Sequence, residues 1–290
     1  MELAKDRLEI LRRIEEYERL GYFDRDVEND PPTRPLRPGE VDYTGKKWRT
    51  RLASEFANHV AKYYFDSCIK RGELVIREVR GIENYMAVAD RGVIITANHF
   101  NAYDNYAVFK AIEKQLGRRR LYKIIREGNY TSFGGIFGFF FRHCNTLPLA
   151  ADHKAFREFR QSLPVLLGRG EKILIYPEQG MWWNYRKPRP LKPGAFHFAA
   201  AAGAPVLPFF LSMEDTNCIG EDGFPIQAYT VHILPAIEPD GSLSVRENAE
   251  RMCRYNYEVW KQTYEDFYGI PLTYTTQNDD ENGEVLPCSI

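Results

Sequence analysis

From about residue 74 onward the chain alternates short β-branched runs with longer helical ones, and this alternation restricts it to an α/β layer architecture. Strands are predicted over 74–79, 93–97, 121–125, 146–149, 172–176, 206–211 and 229–234, and helices over 104–116, 131–141, 153–168, 193–202 and 245–268. The last helix opens with Ser244 and Glu247, the reciprocal pair of a capping box. With 290 residues the chain accommodates one large domain with extensions.

We place that domain at 46–270. Ahead of it, residues 1–45 read as an amphipathic helix, with Leu3, Ile10, Ile14 and Tyr17 on one face, followed by a Pro-rich connector. A further helix over about 46–70 sets Trp48, Leu52, Phe56, Val60, Tyr64 and Ile69 among seven basic and two acidic residues. The acidic segment 271–290 reads as disordered.

Lys and Arg number 39 against 40 Asp and Glu, a balance that predicts no nucleic-acid partner. Five scattered cysteines form neither a C-x-x-C pair nor a zinc-ligand rhythm, so a reducing compartment fits and no metal is expected. No signal peptide is visible, and the longest apolar run, 133–141, is about half of a spanning helix. The expected location is therefore cytoplasmic, peripheral to the inner face of the membrane. Three segments could meet lipid: 46–71, the cluster Arg118-Arg119-Arg120 with Lys123, and the aromatic run 133–141.

The sharpest chemical signal is Ile95-Thr96-Ala97-Asn98-His99-Phe100-Asn101-Ala102-Tyr103-Asp104. Here an apolar strand delivers a histidine to the carboxyl edge of the sheet, with an aspartate five residues on. Folded back, Asp104 would accept the Nδ1 proton and leave Nε2 to deprotonate an attacking hydroxyl. The same residues also suit a hydrogen-bonded core histidine and a helix cap. His153 and Glu158 share that spacing but lie in a helical run, where it points them to different faces. A second signal, Tyr176-Pro177-Glu178-Gln179-Gly180, ends a buried strand and presents a carboxylate at a sheet edge; a plain terminating turn reads the same way. The third is Pro205-Val206-Leu207-Pro208.

In order and spacing these segments resemble the lysophosphatidic acid acyltransferase (PlsC-like) glycerolipid acyltransferase family. Its N-H-x4-D block matches Asn98, His99 and Asp104, its F-P-E-G-T-R-S block resembles Tyr176-Pro177-Glu178, and its proline-flanked strand resembles 205–208. The resemblance implies a central mixed, largely parallel sheet flanked by helices, with an N-terminal helical extension. It implies an acyl donor on CoA or acyl carrier protein, no other cofactor, and a lysolipid acceptor, with 1-acylglycerol-3-phosphate or another lysophospholipid foremost. His99 and Asp104 would be catalytic, with Asn98, Pro177, Glu178, Gln179 and Gly180 in substrate binding; Glu178 would organise the acceptor site without moving a proton.

The chain departs from the family where phosphate is gripped. Met181 and Ala151 stand where arginines are expected, and neither offers a planar bidentate fork. Lys154 and Arg157 are the expected substitutes, with Arg186, Lys187 and Arg189 as further cations nearby; each also reads as a solvated charge. A non-phosphate acceptor and a non-catalytic lipid-binding scaffold therefore stand as alternatives. A lipid-ester or thioester hydrolase is weaker, because no G-x-S-x-G elbow is present. The adjacent Trp182 and Trp183 suit an interfacial or apolar pocket wall, or a core position.

Overall fold

The computed structural model describes residues 3–29 and 32–276. Seven strands, β1 (Val75–Arg80), β2 (Val93–Thr96), β3 (Leu121–Arg126), β4 (Thr146–Leu149), β5 (Lys172–Ile175), β6 (Val206–Ile219) and β7 (Pro225–Ile233), form one sheet in the order β1-β7-β6-β2-β5-β3-β4. Every neighbouring pair is parallel except β6 with β7, so the sheet is mixed and largely parallel, as expected. Strand β2 is central and buried at every position, because helices cover both faces and leave no room for a polar side.

On one face lie α2 (Trp48–Arg71), α3 (Ile82–Met86), α4 (Asp104–Leu116) and α6 (Gly135–His143), packed through Phe65, Tyr85, Val108, Ile112 and Phe140. On the other lie α7 (His153–Gly168), α8 (Gly194–Ala202) and α9 (Val245–Tyr268), through Phe159, Leu166, Phe196, Met252 and Trp260. Asp152 caps α7 by accepting from the amides of Lys154 and Ala155, and the Ser244/Glu247 capping box opens α9.

Element limits differ from the sequence reading in two places. The helix expected over 131–141 is two, α5 (Glu127–Ser132) and α6, parted at the extended Phe133 and Gly134. Gly138 makes this reversal possible, since a Cβ there would lie 2.1 Å from the Phe133 carbonyl oxygen. Strands β6 and β7 run past the predicted limits as an antiparallel hairpin, pairing through Asp215 with Gln227. In α2 the buried face is Ser54, Ala57, Ala61, Phe65 and Cys68, while Trp48, Leu52 and Phe56 point to solvent.

The N-terminal helix α1 (Lys5–Arg19) is not a detached extension. Its Ile10 and Ile14 pack with Phe23, Val27, Trp182 and Trp183 into a separate apolar cluster. Both tryptophans are buried there, so the core alternative holds for them and neither walls the cavity described below. Residues 271–276, placed by sequence at the start of a disordered tail, are docked: the Tyr274 hydroxyl donates to the Pro188 carbonyl, and the Thr275 amide donates to Glu18. The remainder of that predicted tail, 277–290, lies outside the described residues.

Candidate active site

Strand β2 ends at Thr96, and the loop that follows carries His99 to the carboxyl edge of the sheet before α4 begins at Asp104. The loop closes tightly because Asp104 is buried and gathers the groups around it. Its Oδ2 lies 2.7 Å from His99 Nδ1 and accepts from the amides of Phe100 (3.1 Å) and Asn101 (3.2 Å). Its Oδ1 accepts from the Tyr176 hydroxyl at 2.6 Å. Four donors thus converge on one sequestered carboxylate, and the contact to Nδ1 fixes the ring's orientation and tautomer, with a proton on Nδ1 and Nε2 turned away. The Tyr176 ring also stacks on the imidazole, centroids 4.0 Å apart and planes within 15°. Burial, and then the Asp104 charge, push the Tyr176 phenol well above its ordinary range, so it remains a donor.

His99 Nε2 has no hydrogen-bond partner among the described residues, and the side chain lines a cavity of about 1430 Å³. That volume exceeds the common range for compact ligands, about 300–1,000 Å³. Its walls include Phe65, Phe109, Phe133, Phe137, Phe140 and Phe141, an apolar enclosure suited to hydrocarbon. The lining also includes Arg126, Glu127, Gln179, Met181 and Lys192.

Beneath this, Glu178 is a buried tie. Its Oε2 accepts from the His99 amide at 3.0 Å, and its Oε1 from the Arg189 amide at 2.7 Å. The Arg189 guanidinium, also buried, pairs with Glu178 Oε2 at 3.3 Å and donates to the carbonyls of Phe23 and Gly180. The loop after β5 is stitched to the His99 loop by two backbone bonds, Trp182 N to His99 O and Asn184 N to Phe100 O.

Of the residues singled out from sequence, His99, Pro177 and Gln179 line the cavity, with Gln179 in the left-handed region at φ 69°. Asp104 stands behind His99. Asn98 faces inward and bridges to both the amide and the carbonyl of Leu211, so it pins β2 to β6 rather than reaching the cavity. Glu178 and Gly180 support the loop from below. Lys154 and Arg157 lie on the exposed face of α7 and are not brought to the cavity, because the first turn of that helix turns them to solvent. Arg186 pairs with Asp215 and Lys187 with Glu18, so both serve the hairpin and α1.

Two contributors escaped the sequence reading. Tyr176 occupies the position where the family pattern has phenylalanine, and that added hydroxyl was the available signal. Arg189, which the sequence offered as a substitute phosphate cation or a solvated charge, is instead buried by Phe23 and Trp182 from distant parts of the chain and holds Glu178.

Residues 76–212 match the model of the Acyltransferase family. The match covers 137 of the 290 residues. The matched span holds the whole constellation of His99, Asp104, Tyr176, Glu178 and Arg189. Among solved structures, the chain is similar to the 1-acyl-sn-glycerophosphate (LPA) acyltransferase PlsC from Thermotoga maritima, at 22% identity over 77% of this chain and 81% of that one, with a TM-score of 0.49. No curated protein matches significantly. Among the described residues, no helix is long and apolar enough to cross a membrane.

Proposed function

We propose that this chain transfers a fatty acyl group from a CoA or acyl-carrier-protein thioester to the hydroxyl of a lysolipid, with 1-acylglycerol-3-phosphate or another lysophospholipid as acceptor. The observation that carries the reading is the orientation of His99: Nδ1 is tied to a buried carboxylate while Nε2 is open to a large apolar cavity. The acceptor hydroxyl gives its proton to Nε2 as its oxygen attacks the thioester carbonyl, forming the new C–O bond. Collapse of the tetrahedral intermediate breaks the C–S bond, and the imidazolium returns the proton to the departing thiolate. Asp104 orients the ring and steadies the imidazolium through its contact with Nδ1. No protein nucleophile is needed, since the acceptor supplies its own.

In place of the missing arginines, the cavity lining offers Arg126, at the end of β3, and Lys192, which follows the Glu178 loop. Both pair with aspartates of the N-terminal connector, Arg126 with Asp26 at 2.5 Å and Lys192 with Asp24 at 3.2 Å. These carboxylates are largely exposed, so the pairs are weak and exchangeable for a phosphate monoester, which a guanidinium binds bidentately. Access to lipid is served by α2, whose outward Trp48, Leu52 and Phe56 lie among Lys46, Lys47, Arg49 and Arg51.

The test is transfer of labelled acyl groups from acyl-CoA and from acyl carrier protein to a panel of lysolipids by the parent and by His99→Ala. The variant is expected to lose about two to four orders of magnitude in kcat, the usual contribution of a positioned base. Equal rates would remove His99 from the mechanism. Free acid released without an acceptor would favour hydrolysis, and lipid retained without turnover would favour a binding protein.

A further inference from the structure

On the sheet wall of the cavity, away from His99, sits a lysine that the reaction does not use. Lys123 lies in β3 with Leu121 and Ile125 on the same face of the sheet, the face turned to α2, α4 and α6, and all three line the cavity. The register places Lys123 beside Leu174 of β5, which sits beside Ile95 of β2. His99 is four residues beyond Ile95 and two strands away from β3, which separates the two positions by on the order of 15 Å. The space between is walled by aromatic rings, among them Phe65 and Phe140.

The Lys123 ammonium has no hydrogen bond or ion pair among the described residues, whereas every acid in its part of the cavity is already paired. Glu55 holds Arg120, and Glu113 holds Lys62 and Lys110. Burial also lowers the Lys123 pKa from its ordinary value, in keeping with an amine that lacks a countercharge. A hydrocarbon chain end gains nothing from such a group, and desolvating it without a partner is costly.

We propose that Lys123 is a recognition site for an oxygen function, a carboxylate or hydroxyl, at the far end of the acyl chain, so that the cavity selects ω-oxygenated acyl groups of one length. This rests on the acyl-transfer reading for its biological use. The binding it describes can nevertheless be measured without turnover.

The experiment uses the full chain and a fluorescent fatty-acyl ester seated in the cavity. It is displaced by a length series of saturated methyl esters and by the same series bearing a terminal hydroxyl or carboxylate. Methyl esters are chosen so that the ordinary carboxyl head cannot itself seek Lys123. At one length, the parent is expected to bind the oxygenated chain roughly ten- to a hundredfold more tightly than the plain one, the usual yield of a charge-assisted hydrogen bond. Lys123→Met is expected to abolish or invert that preference.

A parent that shows no preference at any length overturns the proposal, and this comparison needs no variant to fold. A preference that survives in a folded Lys123→Met protein, or one with no optimum of length, overturns it as well. Transfer from an unsubstituted acyl-CoA, measured on the same preparation, reports separately on the reaction. Loss of that transfer with the length-dependent preference intact would count against the catalytic reading alone.

Discussion

At the residue scale, Asp104 and Tyr176 divide the work of holding one imidazole. Asp104 supplies charge and orientation; Tyr176 supplies a hydrogen bond to that carboxylate and a flat surface under the ring. Asp104→Asn removes the charge and allows the wrong tautomer, and kcat should fall by roughly two to four orders of magnitude. Tyr176→Phe keeps the stack but deletes one hydrogen bond of about 1 kcal/mol, so kcat should drop only about fivefold, with the melting temperature little changed. A Tyr176→Phe enzyme as impaired as Asp104→Asn would show that the hydroxyl has a more direct part. The spacing of His99 and Asp104 was legible because the contact is local, a loop closing on its own helix start. Tyr176 and Arg189 were not, since one depends on β2 and β5 lying side by side and the other on burial by Phe23, far away in the chain.

At the scale of elements, periodicity located all seven strands but did not say which face of a helix turns inward. In α2 the large apolar residues suited either lipid contact or a core face; the sheet is approached by Ala57 and Ala61, whose small size permits close packing, and Trp48, Leu52 and Phe56 are left outside. Ile136 and Phe137 of α6 are exposed too, and Phe56 meets Phe139 edge to face, with centroids 6.2 Å apart. An exposed apolar stripe bordered by basic residues matches an anionic lipid surface. Replacing Trp48 and Phe56 together by serine should weaken co-sedimentation with vesicles containing anionic phospholipid by at least about tenfold. Turnover of a soluble short-chain substrate should be retained. Unchanged sedimentation would assign membrane contact to another surface. The break between α5 and α6 was foreshadowed by Gly134, Gly135 and Gly138, but a close carbonyl approach shows only in three dimensions.

At the scale of the whole molecule, one buried histidine should make the stability of the sheet depend on acid. The half carrying His99 is tied by the buried Glu178–Arg189 pair, while the hairpin half is tied to β1 around His232. His232 is buried, with Nε2 at 2.9 Å from the Ser212 hydroxyl and an edge-on contact to Phe267. Burial first, and then the nearby Arg80, lower its pKa to about 4, while Glu78 pulls weakly the other way. An imidazole whose folded pKa lies below its unfolded value of about 6.5 contributes stability that is fully present above 6.5 and is lost as pH falls through 4. In that window the unfolded chain binds the extra proton, so unfolding is favoured by up to about 3 kcal/mol. The carboxylates of Glu40 and Asp66, both held at about 2 beside cationic partners, lose their contribution mainly below the ordinary carboxylate range of about 4. The two processes are therefore separable in pH. Urea unfolding of the parent should show stability falling between about pH 6.5 and 4.5, and His232→Gln should flatten that segment while leaving the steeper loss below pH 4 in place. A His232→Gln protein that loses stability across the upper window as the parent does would move the acid sensitivity elsewhere in the sheet.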